Sequence, residues 1–203
     1  MTPRPSVAAR VQETVRAVQS RSAAAPVVGV VLGSGLGAFG DTLTGLQKIP
    51  YETLPHMPAP KVVGHAGHLC LGESDGVPVV CMQGRAHLYE GHDLDAVVHG
   101  VRTLAGLGVR AVLITNAAGG VEPSFRPGDL MLIQDHLNLT GRNPLVGPHE
   151  EGFGVRFPDM TDAYDPSLQR LAQSAAAEAG VPLRAGVYAW LTGPSYETPA
   201  EIR

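Results

Sequence analysis

The chain has 203 residues, of which 44% are apolar and 17% charged, and its formal net charge is −4. That length and apolar content suit one globular domain with a sizeable core and exclude a disordered chain. The 15 Lys and Arg residues form no run, so a nucleic-acid-binding face is not expected, and no stretch reaches the ~18 consecutive apolar residues of a membrane span.

Arginines near the N-terminus are followed by no apolar h-region, so a secretory signal is not expected and the location is read as cytoplasmic. Residues 6 to 21 read as a helix, with Val7, Val11, Val15 and Val18 on one stripe. Val27 to Leu32 reads as a buried strand running into Gly33-Ser34-Gly35-Leu36-Gly37. The stretch after it, with Pro50, Pro55, Pro58 and Pro60, reads as irregular. A hairpin follows over about Leu69 to Met82. With Asp75-Gly76 as its two-residue turn, positions summing to 151 face each other, so Cys70 opposes Cys81 and Pro78 falls at a non-hydrogen-bonded site. A cross-strand disulfide is geometrically open. In a cytosolic chain, two buried free thiols are the expected state.

Asp93 to Leu107 reads as an amphipathic helix with Asp93 as N-cap and Gly108 closing it. Val109 to Thr115 reads as another buried strand, ending in Asn116-Ala117-Ala118-Gly119-Gly120. A strand is expected over Asp129 to Gln134 and a long loop over residues 138 to 160. Asp165 to Gly180 carries a full set of helix signals: an Asp N-cap, Pro166 at the first position and Gly180 past the end. Leu183 to Leu191 is a strand leading to Gly193-Pro194-Ser195-Tyr196-Glu197. Thr198-Pro199-Ala200-Glu201 is a capping box announcing a helix for which two residues remain, which points to a C-terminal part beyond Arg203. There is no linker or repeat, so residues 1–203 read as a single domain. Strands alternating with helices make the class α/β, with a mixed or largely parallel sheet.

Several polar clusters follow strands. Between Gln83 and Gly91 the chain places Arg85, His87, Tyr89 and Glu90. Arg85 is a fork for a phosphate or carboxylate, and alternation along an extended segment would turn Arg85, His87 and Tyr89 to one side. Glu90 is expected to pair locally or to cap. The glycines from Gly33 to Gly37 fit an anion nest with the Ser34 hydroxyl, or else a plain turn; a dinucleotide fingerprint would need a helix directly after, and Gly40, Gly45 and Pro50 oppose one. In Gly64-His65-Ala66-Gly67-His68, His65 is either a loop histidine or an anion ligand, and His68 is read as an ordinary loop residue. No partners at metal-ligand spacing accompany them. The small residues from Asn116 to Gly120 fit a ligand pressed against backbone N–H groups, although Asn116 can equally bond its own turn. Glu197 beside Tyr196 suits a heterocycle that stacks and donates N–H, or else serves the dipole of the coming helix.

Taken together, Gly33 to Gly37, Gly64 to Gly67, Gln83 to Gly91, Thr115 to Gly120, Asp162 to Asp165 and Gly193 to Thr198 resemble the purine nucleoside phosphorylase family, in its homotrimeric branch, over essentially the whole chain. The resemblance implies a three-layer α/β fold with a central mixed, largely parallel sheet flanked by helices. It implies reversible phosphorolysis of inosine, guanosine and their deoxy forms, with inorganic phosphate as co-substrate, no metal and no organic cofactor. By resemblance, Ser34, His65, Arg85, Ala86, His87 and Ala117 would bind phosphate, with Arg85, His87 and Glu197 catalytic. Tyr89, Asn116, Tyr196, Glu197 and Phe157 would line the purine and ribose sites, Phe157 entering a neighbouring subunit and Tyr196 standing where the family usually has Phe. Family members continue past the point matching Arg203, so a remnant that binds phosphate without turning over nucleoside is the competing reading from another class. A methylthioadenosine phosphorylase shares the scaffold, but Glu197 argues against an adenine-accepting pocket.

Overall fold

The structure is a computed structural model that describes residues 5–59, 66–150 and 152–203. The chain divides into two compact units, Met1–Ala117 with Pro144–Phe153, and Ala118–Asn143 with Gly154–Arg203.

The first unit begins with α1 (Val7–Gln19), whose N-cap Ser6 accepts from the Ala9 N–H. The strands β1 (Val28–Leu32), β2 (Thr44–Pro50), β3 (His68–Ser74) and β4 (Val77–Gln83) follow, then α2 (Leu94–Gly106) and β5 (Ala111–Ile114). The five strands form one sheet in the order β2-β3-β4-β1-β5. It is mixed: β1 runs parallel to β4 and β5, while β2–β3 and β3–β4 are antiparallel. The hairpin has the expected register throughout, from Ser74 opposite Val77 to Cys70 opposite Cys81 and His68 opposite Gln83. Asp75 and Gly76 both have positive φ, +49° and +77°, the type I′ geometry that fits the twist of the strands.

Period-two alternation splits the core across the sheet. Val31, Leu69, Leu71, Val80 and Met82 face one way and pack with Val11, Val15 and Val18 of α1 and Leu104 of α2. Val30, Leu32, Cys70, Val79 and Cys81 face the other way, with Leu43. Cys70 and Cys81 are buried free thiols. Burial pushes them up to about 11 and about 12, so they remain neutral and behave as small apolar side chains.

Two expectations are corrected. The stretch read as irregular contains β2, an edge strand bulged between Thr44 and Gln47 and paired to β3. And β5 is not buried: it ends the sheet order, and Leu113 and Ile114 are 58% and 57% exposed. A continuous apolar run signals two apolar faces; it does not state what covers them.

A polar seam joins α1 and α2. Asp95 receives Arg10 at 3.2 Å and Arg102 at 3.1 Å. Thr14 Oγ1 lies 2.7 Å from the Pro55 carbonyl, to which it donates, and 2.8 Å from His99 Nε2. With its one proton spent on Pro55, the hydroxyl accepts from Nε2–H of a neutral imidazole. Burial, with His56, Arg10 and Arg102 adding to it, lowers the His99 pKa to about 4. The unfolded chain therefore binds this proton more readily than the folded one. The stability His99 lends is complete above its unfolded value near 6.5 and is lost as pH falls toward 4, by up to about 3 kcal/mol. Thermal melts of the parent should steepen in pH dependence across that window, and a His99→Gln protein should lose that component.

The second unit holds β6 (Leu130–Asn138), α3 (Pro166–Glu178), β7 (Leu183–Trp190) and α4 (Pro199–Ile202). β6 pairs parallel to β7, and α3 packs on both. Asp165 caps α3 through the N–H groups of Ser167 and Leu168, and Gly180 follows with φ +65°. The capping box of α4 is complete, Thr198 N donating to Glu201 and Glu201 N to the Thr198 hydroxyl.

Candidate active site

Because β1 is parallel to both its neighbours, the C-terminal ends of β4, β1 and β5 emerge side by side. Leu32 pairs with Gln83, and Val31 with Ile114. Gly33–Gly37, Gly84–Gly91 and Thr115–Ala117 therefore begin on one edge of the sheet, the place where open α/β sheets bind ligands. Direct bonds fasten these segments together. Gly33 N–H donates to Thr115 Oγ1 at 2.8 Å, and that hydroxyl donates to the Val31 carbonyl at 2.9 Å. The Arg85 guanidinium donates through Nη1 to the Thr115 carbonyl at 2.9 Å. It is half-buried and held toward the neighbouring loop, not turned to bulk solvent. A Cβ at residue 33 would sit 2.8 Å from the Thr115 carbonyl oxygen, so the close approach of the two loops requires glycine.

The Gly33–Gly37 segment turns tightly, with Leu36 N–H donating to the Gly33 carbonyl and Gly35 at φ +85°. Only a 3-10 turn over Gly37–Asp41 follows, so the segment lacks the helix that the dinucleotide motif needs. Gln83 anchors it: its Nε2 donates to the Gly37 carbonyl at 2.9 Å and to Asp41 at 3.1 Å. Lys48 and then Gln83 hold the Asp41 carboxyl below its ordinary range.

After Gly84 the chain is extended only as far as His87; a 3-10 turn over Leu88–Glu90 interrupts the alternation expected to run on to Tyr89. The two rings nevertheless meet, stacked at 4.8 Å with an interplanar angle of 17°. Glu90 caps the turn, as expected, accepting from the His87 backbone N–H at 2.7 Å and lying 2.8 Å from His87 Nδ1. A carboxylate only accepts, so Nδ1 carries the proton, and the imidazole is fixed in both tautomer and orientation. Ala86 is buried, while Ser34 and Ala117 are exposed. Asn116 bonds its own turn, Nδ2 donating to the Ala117 carbonyl at 3.2 Å.

Sequence reasoning missed Tyr51. Its phenol is buried and donates to the Gly84 carbonyl at 2.8 Å, and its backbone N–H donates to the Gly67 carbonyl, also at 2.8 Å. Burial, with Cys70 and Cys81 adding to it, pushes the phenol far above its usual range, so it remains a donor. Gly67 N–H in turn donates to the Gln83 carbonyl at 2.9 Å. His65 lies outside the described residues. His68, opposite Gln83 in the hairpin, has its Nδ1 buried with no hydrogen bond among the described residues. Thr115 was also missed as a structural hub, since a threonine at a strand end carries no special signal.

Tyr196 and Glu197 lie in the second unit, on the loop between β7 and α4, and both are exposed, Tyr196 at 94%. Phe157, in the connection before α3, is 87% exposed, with the Arg156 guanidinium 5.7 Å from its ring centre. Among the described residues no group of three or more His, Cys, Asp or Glu is disposed to hold a metal ion, and no helix is long and apolar enough to cross a membrane.

Residues 27–203 match the family described as the phosphorylase superfamily. The chain is 48% identical over 194 residues to purine nucleoside phosphorylase 1 of Bacillus subtilis, covering 96% of itself and 72% of that protein. The chain belongs to the purine nucleoside phosphorylase family. The Bos taurus purine nucleoside phosphorylase is 46% identical over 197 residues, which span 95% of this chain and 68% of the bovine one. Among solved structures, a purine nucleoside phosphorylase in complex with ribose-1-phosphate superposes with a TM-score of 0.89 at 42% identity, over 95% of this chain and 73% of that one. The Schistosoma mansoni enzyme in complex with inosine gives a TM-score of 0.89 at 40% identity, over 96% of this chain and 70% of that one. In this nucleoside phosphorylase fold the three parallel strand ends lie side by side, with Arg85 bonded across to Thr115.

Proposed function

We propose that the protein catalyses the phosphorolysis of purine nucleosides, taking inosine, guanosine and their deoxy forms with inorganic phosphate to the free base and (deoxy)ribose 1-phosphate. The observation that carries this reading is the junction of Gly33, Arg85 and Thr115 across three parallel strand ends. That junction fastens together the loops that carry the Ser34 hydroxyl and the Arg85 guanidinium, groups suited to one anion. Relatives named purine nucleoside phosphorylases, two of their structures holding ribose-1-phosphate or inosine, support it.

Ser34, His65, Arg85, Ala86, His87 and Ala117 bind phosphate in this reading. Tyr89 lines the ribose, Phe157 enters the ribose site of a neighbouring subunit, and Asn116, Tyr196 and Glu197 receive the purine. As the glycosidic bond breaks, its electron pair leaves with the base and the sugar gains oxocarbenium character, as in glycoside hydrolysis. A phosphate oxygen then forms the new bond to C1′ of the sugar. Phosphate already carries roughly −1.5 to −2 charges at neutral pH, so the nucleophile needs no general base. Arg85 holds it without protonating it, because a guanidinium does not give up its proton in a protein. Glu197, as a carboxylate, accepts N1–H of a 6-oxopurine and stabilises the departing base. No metal or organic cofactor enters the scheme. The 203 residues are read as parts of one phosphorylase domain that assembles as a homotrimer in the cytoplasm.

The test is hypoxanthine release from inosine with phosphate varied from none to saturating. Release that requires phosphate and yields ribose 1-phosphate in equal amount supports the reading. Release without phosphate makes the protein a hydrolase, and phosphate binding without any turnover makes it a binding remnant; either result rejects the proposal.

A further inference from the structure

The phosphate site of the proposed function rests on two glycine turns that one residue outside that site holds at once. Gly84, with φ +100°, turns the chain from β4 into Arg85, and Gly67, with φ +68°, directly precedes β3. Both conformations lie where only glycine sits without strain, so neither turn gains rigidity from a side chain of its own. What fixes them is Tyr51, 1% exposed. Its hydroxyl donates to the Gly84 carbonyl at 2.8 Å, and its backbone N–H donates to the Gly67 carbonyl at 2.8 Å. Gly67 N–H closes the ring of contacts on the Gln83 carbonyl at 2.9 Å. The ring of Tyr51 packs in the core with Leu69, Leu71 and Val80, so the hydroxyl is carried on a rigid support.

We infer that Tyr51 is a positioning residue for phosphate: its hydroxyl pins the Gly84 carbonyl and thereby sets where the Arg85 guanidinium stands. Tyr51 touches no reacting atom. It acts through the peptide directly before Arg85, and a preorganised anion site loses affinity when such a support is left to move. The inference rests on the phosphorolysis reading and goes beyond it by naming the group that tunes the phosphate requirement.

Tyr51→Phe removes one oxygen and leaves the backbone bond to Gly67 intact. The expected result is a 5- to 30-fold higher KM for phosphate, an estimate of the order expected for one lost buried hydrogen bond. KM for inosine, and kcat at saturating phosphate, should stay within about twofold. Ile49→Val, in the same core cluster, serves as the stability control. It should lower the melting temperature without moving KM for phosphate, which separates a loosened fold from a displaced arginine. Phosphate titrated calorimetrically into both variants and the parent gives a readout that does not need turnover. A parent protein that neither binds phosphate nor uses it overturns the functional reading, and this inference with it. A parent that binds phosphate, beside a Tyr51→Phe protein with the same phosphate affinity and KM, overturns the inference alone. Equal losses in phosphate and inosine KM, or the same phosphate shift in Ile49→Val, do so too.

Discussion

Replacing Arg85 with alanine is expected to raise the phosphate concentration for half-maximal phosphorolysis by about 10²- to 10³-fold, the loss typical of removing a donor aimed at developing charge. The guanidinium is half-buried and already oriented by its bond to the Thr115 carbonyl, so little entropy remains to be lost when the anion arrives. Lysine at this position keeps the charge but not the planar fork. It should fall between the two proteins, since a point charge cannot reproduce two parallel N–H bonds. Affinity for the free base should change little in either variant, because the base is assigned to Glu197 and Tyr196 on a different segment. The measurement is initial velocity against phosphate at fixed inosine, paired with hypoxanthine binding. A folded Arg85→Ala protein with the parent's phosphate requirement would take Arg85 out of the site.

Local rules make much of this molecule legible in its sequence. The hairpin register follows from a single dipeptide, because a two-residue turn with both φ positive admits one alignment of the flanking strands, and Asp75-Gly76 adopts it. The helix starts at Asp93, Asp165 and Thr198 were equally local, each resting on one side-chain oxygen and one or two backbone N–H groups. What escaped depends on distant partners. β2 carries Gly45 at φ +64°, a bulge and a terminal Pro50, and of its residues only Ile49 is buried. It is a strand because β3 offers it an edge, a fact recorded nowhere in its own composition.

The same division runs through the site. The capping of His87 by Glu90 was legible because it is an i to i+3 relation inside one short segment. Tyr51 was not legible. It contributes through a contact with Gly84, 33 residues away, and it stood among prolines that suggested no order at all. Thr115 was hidden for the opposite reason: it lay inside a recognised motif, but its bonds to Gly33 and Arg85 exist only once three strands are aligned.

Glu197 bears the second large expectation, which concerns choice of base. A carboxylate has no proton to give at neutral pH, so it is complementary to the N1–H of hypoxanthine or guanine and to the guanine amino group. Adenine presents a lone pair at N1, which would face the carboxylate unpaired, and sites built on one such bond reject the mismatched partner by ~10⁴-fold or more. The parent protein should therefore show kcat/KM for inosine far above that for adenosine. Glu197→Ala should reduce inosine turnover by about 10²- to 10³-fold, in line with the loss of one charged hydrogen-bond partner, while the phosphate KM stays near the parent value. Glu197→Gln is the more discriminating change. Its amide offers a carbonyl to N1–H of an oxopurine or an NH₂ to N1 of adenine, so it should compress the inosine-to-adenosine ratio from both sides, lowering one rate and raising the other. Arg85 and Glu197 would then fail in opposite ways, one in its demand for phosphate and the other in its selection of base. Equal kcat/KM for inosine and adenosine in the parent would strip Glu197 of the reading role and leave the carboxylate as a neighbour of the Thr198 cap.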